Sequence, residues 1–197
     1  GKNCFDYIDR FERAFAKEVG SEFSVATSSC TGALQLGMHA LGIGKGDEVI
    51  LADINWIATA APIIHCGATP VFVDISLENW CISKEEIERA ITDKTKAIVV
   101  THLYGNIADI QEIVKLAKAK NIYVIEDAAE ALGSKFDGKQ VGTFGNFGVF
   151  SFHGTKMMTT GEGGMLISND KQLYEKVCVL NNHGRSTKER RHFWPTE

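Results

Sequence analysis

The sequence predicts an α/β domain of three layers, α/β/α, built on a mostly parallel sheet. Strand-like and helix-like stretches alternate over most of the 197 residues. Several strand-like stretches are short, continuous apolar runs, the pattern of strands covered on both faces. A hydrophobic content of 44% is enough for one sizeable core. There is no low-complexity segment, repeat or internal linker.

Residues 4–19 read as an amphipathic helix, because Phe5, Ile8, Phe11, Phe15 and Val19 recur at helical spacing between charges. A short strand follows at 23–26. Residues 30–42 read as a second helix, rich in Ala and Leu, that stops at Gly42-Ile43-Gly44-Lys45-Gly46. The next strand is 48–52. Residues 56–65 are apolar and alanine-rich and read as a buried helix ended by Gly67. A strand covers 70–74. Ser83-Lys84-Glu85-Glu86 is a capping box that opens a short helix to residue 91. A strand at 97–101 precedes a helix at 109–119, whose apolar side carries Ile110, Ile113, Val114 and Leu116. Strands at 122–125, 147–152 and 165–168 and a helix at 170–180 complete the alternation. Asp137-Gly138 reads as a hairpin turn.

Composition narrows the function. A net charge of −4 argues against nucleic-acid binding, and the one basic run, 188–192, contains Glu189. Five cysteines, an odd number without a CxxC pair, fit a reducing cytoplasm better than a disulfide scaffold. The six histidines have no zinc-site spacing, so no metal is expected. No apolar run reaches ~18 residues, so no membrane partner is expected. Gly42-Ile43-Gly44-Lys45-Gly46-Asp47 fails as a dinucleotide fingerprint, since its sixth residue is Asp and it follows a helix. The stretch 133–140 fails as a Walker loop, with Gln140 where Ser or Thr would hold magnesium.

In such sheets ligands sit beyond the carboxyl ends of the strands, so the residues there carry the chemistry. Thr27-Ser28-Ser29-Cys30-Thr31-Gly32 opens a helix and offers hydroxyls and free N–H groups to an anion, or is an ordinary N-cap. Trp56 can lie flat on an aromatic ligand, although taken alone it reads better as core packing. Asp127, in Glu126-Asp127-Ala128-Ala129-Glu130, can meet a pyridine nitrogen through a charge-assisted hydrogen bond, or cap the next segment. Ser151 suits a phosphate oxygen. Lys156, five residues on, is either a solvated loop lysine or a Schiff-base lysine. Together these supply what pyridoxal phosphate needs: an amine, an acid facing the ring nitrogen, a phosphate nest and a flat ring contact.

With these stretches in this order, the chain resembles the DegT/DnrJ/StrS sugar aminotransferases, pyridoxal-phosphate enzymes of the aspartate-aminotransferase fold. The carrying stretches also include Gly46-Asp47-Glu48-Val49-Ile50, His102-Leu103-Tyr104-Gly105 and Thr160-Gly161-Glu162-Gly163-Gly164. The wording, with Glu130, looks closest to GDP-perosamine synthase-like members. The resemblance implies that Lys156 is the catalytic lysine and proton shuttle and that Asp127 pairs with the pyridine nitrogen. It implies that Glu130 approaches the ring on its phenolic-oxygen side and that Trp56 stacks on the ring. Cys30, Thr31 and Ser151 would hold the phosphate, Cys30 through its backbone N–H.

The implied reaction moves an amino group from glutamate to a keto group of a nucleotide-linked deoxysugar, in a homodimer that shares its active sites. Related sugar 3-dehydratases carry His in place of the lysine, so Lys156 favours transamination. A non-catalytic regulator of the same fold is the other reading. Gly1 without a methionine, and Glu197 after Trp194-Pro195-Thr196, read as cut ends. On this reading residues 1–197 are the large domain, truncated at both ends, without the family's C-terminal small domain.

Overall fold

The computed structural model describes residues 6–185. The expected helix start at residues 4 and 5 and the basic run 188–192 lie outside them. In chain order the elements are α1 (Asp6–Val19), β1 (Phe23–Thr27), α2 (Cys30–Ala40), β2 (Glu48–Ala52), α3 (Ile57–His65), β3 (Thr69–Val73) and α4 (Lys84–Ala90). There follow β4 (Thr95–Thr101), α5 (Ile110–Ala119), β5 (Tyr123–Asp127), β6 (Lys135–Phe136), β7 (Lys139–Gln140), β8 (Phe147–Ser151), β9 (Gly164–Ser168) and α6 (Lys171–Asn181). A short 3-10 turn, Leu103–Gly105, follows β4.

Seven strands form one sheet in the order β1-β9-β8-β5-β4-β2-β3. β9 pairs antiparallel with both its neighbours, and the remaining pairs are parallel. Alternation along each strand supplies two cores. Val49, Leu51, Ala97, Val99, Phe147 and Val149 face α2, α3 and α6. Ile50, Ile98, Val100 and Val124 face α4 and α5, and Phe150, Met165 and Ile167 face Phe15 and Val19 of α1. The three layers expected from the apolar runs are present.

Three local differences have physical causes. The 83–86 capping box does not close: the Ser83 hydroxyl donates to Glu85 Oε2 at 3.0 Å, and Glu86 turns to Arg89 one helical turn on. α3 is not buried all round. It packs on α2 and β3, while Ile57 (72% exposed) and Ile64 point outward. β5 runs two residues further than expected, so Glu126 and Asp127 are strand residues and not a following loop. The Asp137-Gly138 turn forms as read: both residues have positive φ, 48° and 77°, as a tight β6–β7 hairpin requires.

Candidate active site

The sheet ends where β1, β8 and β5 stop and β9 begins. Register places Thr27 and Ser151 on either side of Gly164. A Cβ on Gly164 would lie 2.4 Å from the Ser29 carbonyl carbon, so glycine there lets the start of α2 settle against the sheet. A cleft of about 420 Å³ opens over these ends, a volume suited to a small-molecule ligand. Cys30, Thr31, Trp56 and Asp127 line it, and so do Glu130, Ser151 and Lys156. All seven residues singled out from the sequence thus border one cavity.

Strand alternation sends the two adjacent carboxylates of β5 to opposite faces. Glu126 goes away from the cleft and is fully buried. It accepts from the N–H groups of Gly142, Phe144 and Gly145 at 2.7, 2.7 and 2.6 Å, and from His102 Nε2 at 3.1 Å. His102 Nδ1 accepts from the Ala108 N–H, so the ring proton sits on Nε2, toward Glu126. Asp127 goes to the cleft and is 4% exposed. Its oxygens accept from the Thr59 hydroxyl at 2.7 Å and the Ala129 N–H at 3.1 Å. Burial pushes the Asp127 carboxyl above the usual carboxylate range, and the Thr59 hydrogen bond, the Ala129 N–H, Lys156 and His102 oppose that rise.

Lys156 stands on the loop between β8 and β9. The loop's base is stitched by the Phe152 N–H to the Gly163 carbonyl and by the Thr160 N–H to the Phe152 carbonyl, at 2.9 and 3.0 Å. Lys156 Nζ donates to Glu130 Oε1 at 3.0 Å. The other Glu130 oxygen accepts from the N–H of Tyr104, a non-glycine residue held at φ 54°. The loop lysine is therefore fixed by an ion pair inside the cleft, with about a quarter of its side chain exposed.

Ser29 caps α2, its hydroxyl accepting from the Gly32 N–H at 3.0 Å. Cys30 and Thr31 are the first helical residues, and no intrahelical carbonyl reaches N–H groups in that turn. The N-cap reading and the anion-site reading are thus compatible: Ser29 caps, and the next two residues face the cleft. The Cys30 thiol is pushed up, first by burial and then by the nearby Asp127, so it packs as a neutral group. Trp56 does not pack in the core. It is 73% exposed at the cleft mouth, one residue before α3.

Sequence reasoning missed Asn55, Thr59 and Thr101, which also line the cleft. Asn55 and Thr59 lie in the segment after β2, where position alone marks them. His153 and Glu162 border the cleft too, 3.6 Å apart across the lysine loop. Among the described residues no cluster of His, Cys, Asp or Glu is arranged to hold a metal ion, and no helix is long and apolar enough to cross a membrane.

Residues 2–197 match the DegT/DnrJ/EryC1/StrS aminotransferase family. A GDP-perosamine synthase of Escherichia coli O157:H7 is 48% identical over 189 residues, 96% of this chain and 51% of that protein. The X-ray structure of the aminotransferase from Psychrobacter cryohalolentis superposes with a TM-score of 0.91 at 40% identity, over 96% of this chain and 48% of that one. The structure of ntda from Bacillus subtilis with bound cofactor PMP superposes with a TM-score of 0.88 at 31% identity, over 96% and 43%. The chain spans about half the length of these relatives.

Proposed function

The chain belongs to the DegT/DnrJ/EryC1/StrS aminotransferase family, and from that premise we propose that it carries the cofactor site of a pyridoxal-phosphate aminotransferase. The proposed reaction moves an amino group from glutamate to a keto group of a nucleotide-linked deoxysugar. The observation that carries this reading is the facing pair in one cleft: Lys156 held by Glu130, and a buried Asp127 whose carboxylate lacks a full counter-charge.

The residues fit the cofactor. A buried carboxylate with a raised pKa is stabilised by a cationic N–H partner, which a pyridinium nitrogen provides. When bound, pyridoxal phosphate supplies an aldehyde that takes up an amino group and a ring that accepts electrons. The N–H groups of Cys30 and Thr31, with the hydroxyls of Thr31 and Ser151, would hold its phosphate. Trp56 would cover its ring. Lys156 supplies the amine that secures the cofactor and carries a proton at Nζ. Glu130 holds that Nζ in place and keeps a carboxylate beside it to share the proton.

The same reading makes the working unit a homodimer in the cytoplasm. Exposed Trp56, Ile57, Tyr104 and Met157 near the cleft support the first part. Free cysteines 30, 66, 81 and 178 support the second.

Incubation with pyridoxal phosphate, borohydride reduction and peptide mass spectrometry test the site. The expected result is a pyridoxyl label on Lys156, absent in Lys156→Arg. Label scattered over surface lysines would sink the reading. Glutamate-dependent amination of a keto-sugar nucleotide tests the reaction. Release of ammonia with no amino group retained on the sugar would point instead to a dehydratase.

A further inference from the structure

Asp127 is the end of a hydrogen-bonded chain that starts on the neighbouring strand. Asn55 Nδ2 donates to Thr101 Oγ1 at 2.8 Å. Asn55 Oδ1 accepts from the Trp56 N–H at 2.8 Å, which fixes the orientation of the amide. The same oxygen lies 3.2 Å from Thr59 Oγ1, and Thr59 Oγ1 lies 2.7 Å from Asp127 Oδ2. Thr59 is 1% exposed, so no bulk water competes for it.

A threonine hydroxyl has one proton and two lone pairs. Here it faces two acceptors. With Asp127 ionised, the proton points to the carboxylate, the stronger acceptor and the nearer one. With Asp127 protonated, the carboxyl O–H can donate to Thr59 Oγ1 while the Thr59 proton swings to Asn55 Oδ1. The chain is satisfied in both states, and the change needs only rotation about one C–O bond.

We propose that Thr59 is a positioning residue whose hydroxyl turns with the charge of Asp127, and that Asn55 anchors this rotor and the Trp56 backbone to one frame. The acid opposite the ring and the indole beside it are then set by a single amide. The other groups facing Asp127 are Lys156 from the β8–β9 loop, His102 after β4 and the Cys30 thiol at the start of α2. None of them donates a hydrogen bond to Asp127 in the structure. Thr59 and the Ala129 N–H do.

The cofactor half of the proposal rests on the function given above, so the test begins without cofactor. The Asp127 carboxyl is titrated by carbon-13 NMR in the chain, its signal assigned by its loss in Asp127→Asn. Thr59→Val, which keeps shape and removes the hydroxyl, moves the midpoint to higher pH, and Thr59→Ser returns it. In the same variants, pyridoxal phosphate affinity falls roughly tenfold to a hundredfold for Val and recovers for Ser, as expected for one hydrogen bond to a charged group.

An unmoved midpoint in Thr59→Val overturns the proposal. So does a Ser variant as impaired as the Val one, because that assigns the effect to the methyl group. Circular dichroism checks folding, and Thr59→Ala replaces Val if Val does not fold. If only Ser folds, the hydroxyl is structural and the proposal fails. A wild-type chain that titrates as expected but binds no cofactor would sink the functional reading and leave the rotor standing.

Discussion

Asp127 is a residue placed against its own stability. Its folded pKa is raised by burial. Between its unfolded pKa and that raised value, the native state binds the extra proton, so the contribution of Asp127 to stability is fully present below its unfolded pKa and is lost as pH rises through the window. Asp127→Asn removes the charge and can still be satisfied: its oxygen accepts from Ala129, its amide donates to Thr59, and Thr59 then donates to Asn55. The cofactor-free variant is expected to melt higher than wild type at neutral pH, by roughly 2–4 °C for each kcal/mol gained. Its melting temperature should also vary less across the acidic range. Calorimetry over that range checks both, and an equal pH slope in the two proteins contradicts the account. The cost is paid by the site, which should lose its hold on pyridoxal phosphate.

Two tight junctions set the geometry at the scale of elements. Glu126 ties β5 to the 142–145 segment through three backbone N–H groups and to His102 through a fourth donor. Glu126→Ala removes the acceptor of all four donors and leaves those of Gly142 and His102 buried and unpaired, so a loss of about 3–5 kcal/mol in urea-unfolding free energy is expected, with weakened cofactor binding because Asp127 is the next residue. At the other junction, Gly164→Ala puts a methyl against the backbone of Ser29 and Cys30 at 2.4 and 2.5 Å. Backbone cannot swing aside as a side chain can, so α2 must retreat from β9. Lower melting temperature and weaker phosphate-dependent binding are expected together. Normal affinity for pyridoxal phosphate in this variant would show that the start of α2 does not hold the phosphate.

At the scale of the molecule, one end of the sheet has an apolar rim. Trp56, Ile57, Tyr104 and Met157 are each more than two-thirds exposed. The proposed homodimer gives that surface a partner. Sedimentation velocity should find the chain as a dimer, and Ile57→Glu should weaken it by roughly tenfold or more while leaving the circular dichroism unchanged. A monomeric wild-type chain would remove the rim from the interface.

The layers and the strand-end position of the site were legible because both are local. Apolar runs such as residues 97–101 declare a strand covered on both faces, and Asp127, Ser151 and Lys156 follow from where strands stop. Position and chemistry singled out Asp127, Ser151, Lys156 and the start of α2, whereas the part given to Glu130 came only with the resemblance to the family.

Apolarity says that a side chain prefers company and does not say whose. Trp56 and Ile57 therefore read as core, and only the packing of α3 on α2 and β3 put them outside. The partners of Asp127 and Glu126 were equally out of reach. The Thr59–Asp127 bond spans 68 positions and the Asn55–Thr101 bond 46, with no sequence period linking them. By itself the sequence determined the layers, the end of the strands over which the cleft opens and the candidate residues that stand there. The tertiary structure decided which carboxylate of Glu126-Asp127 faces the cleft, what holds it and which apolar groups stay exposed, because each depends on distant segments meeting in space.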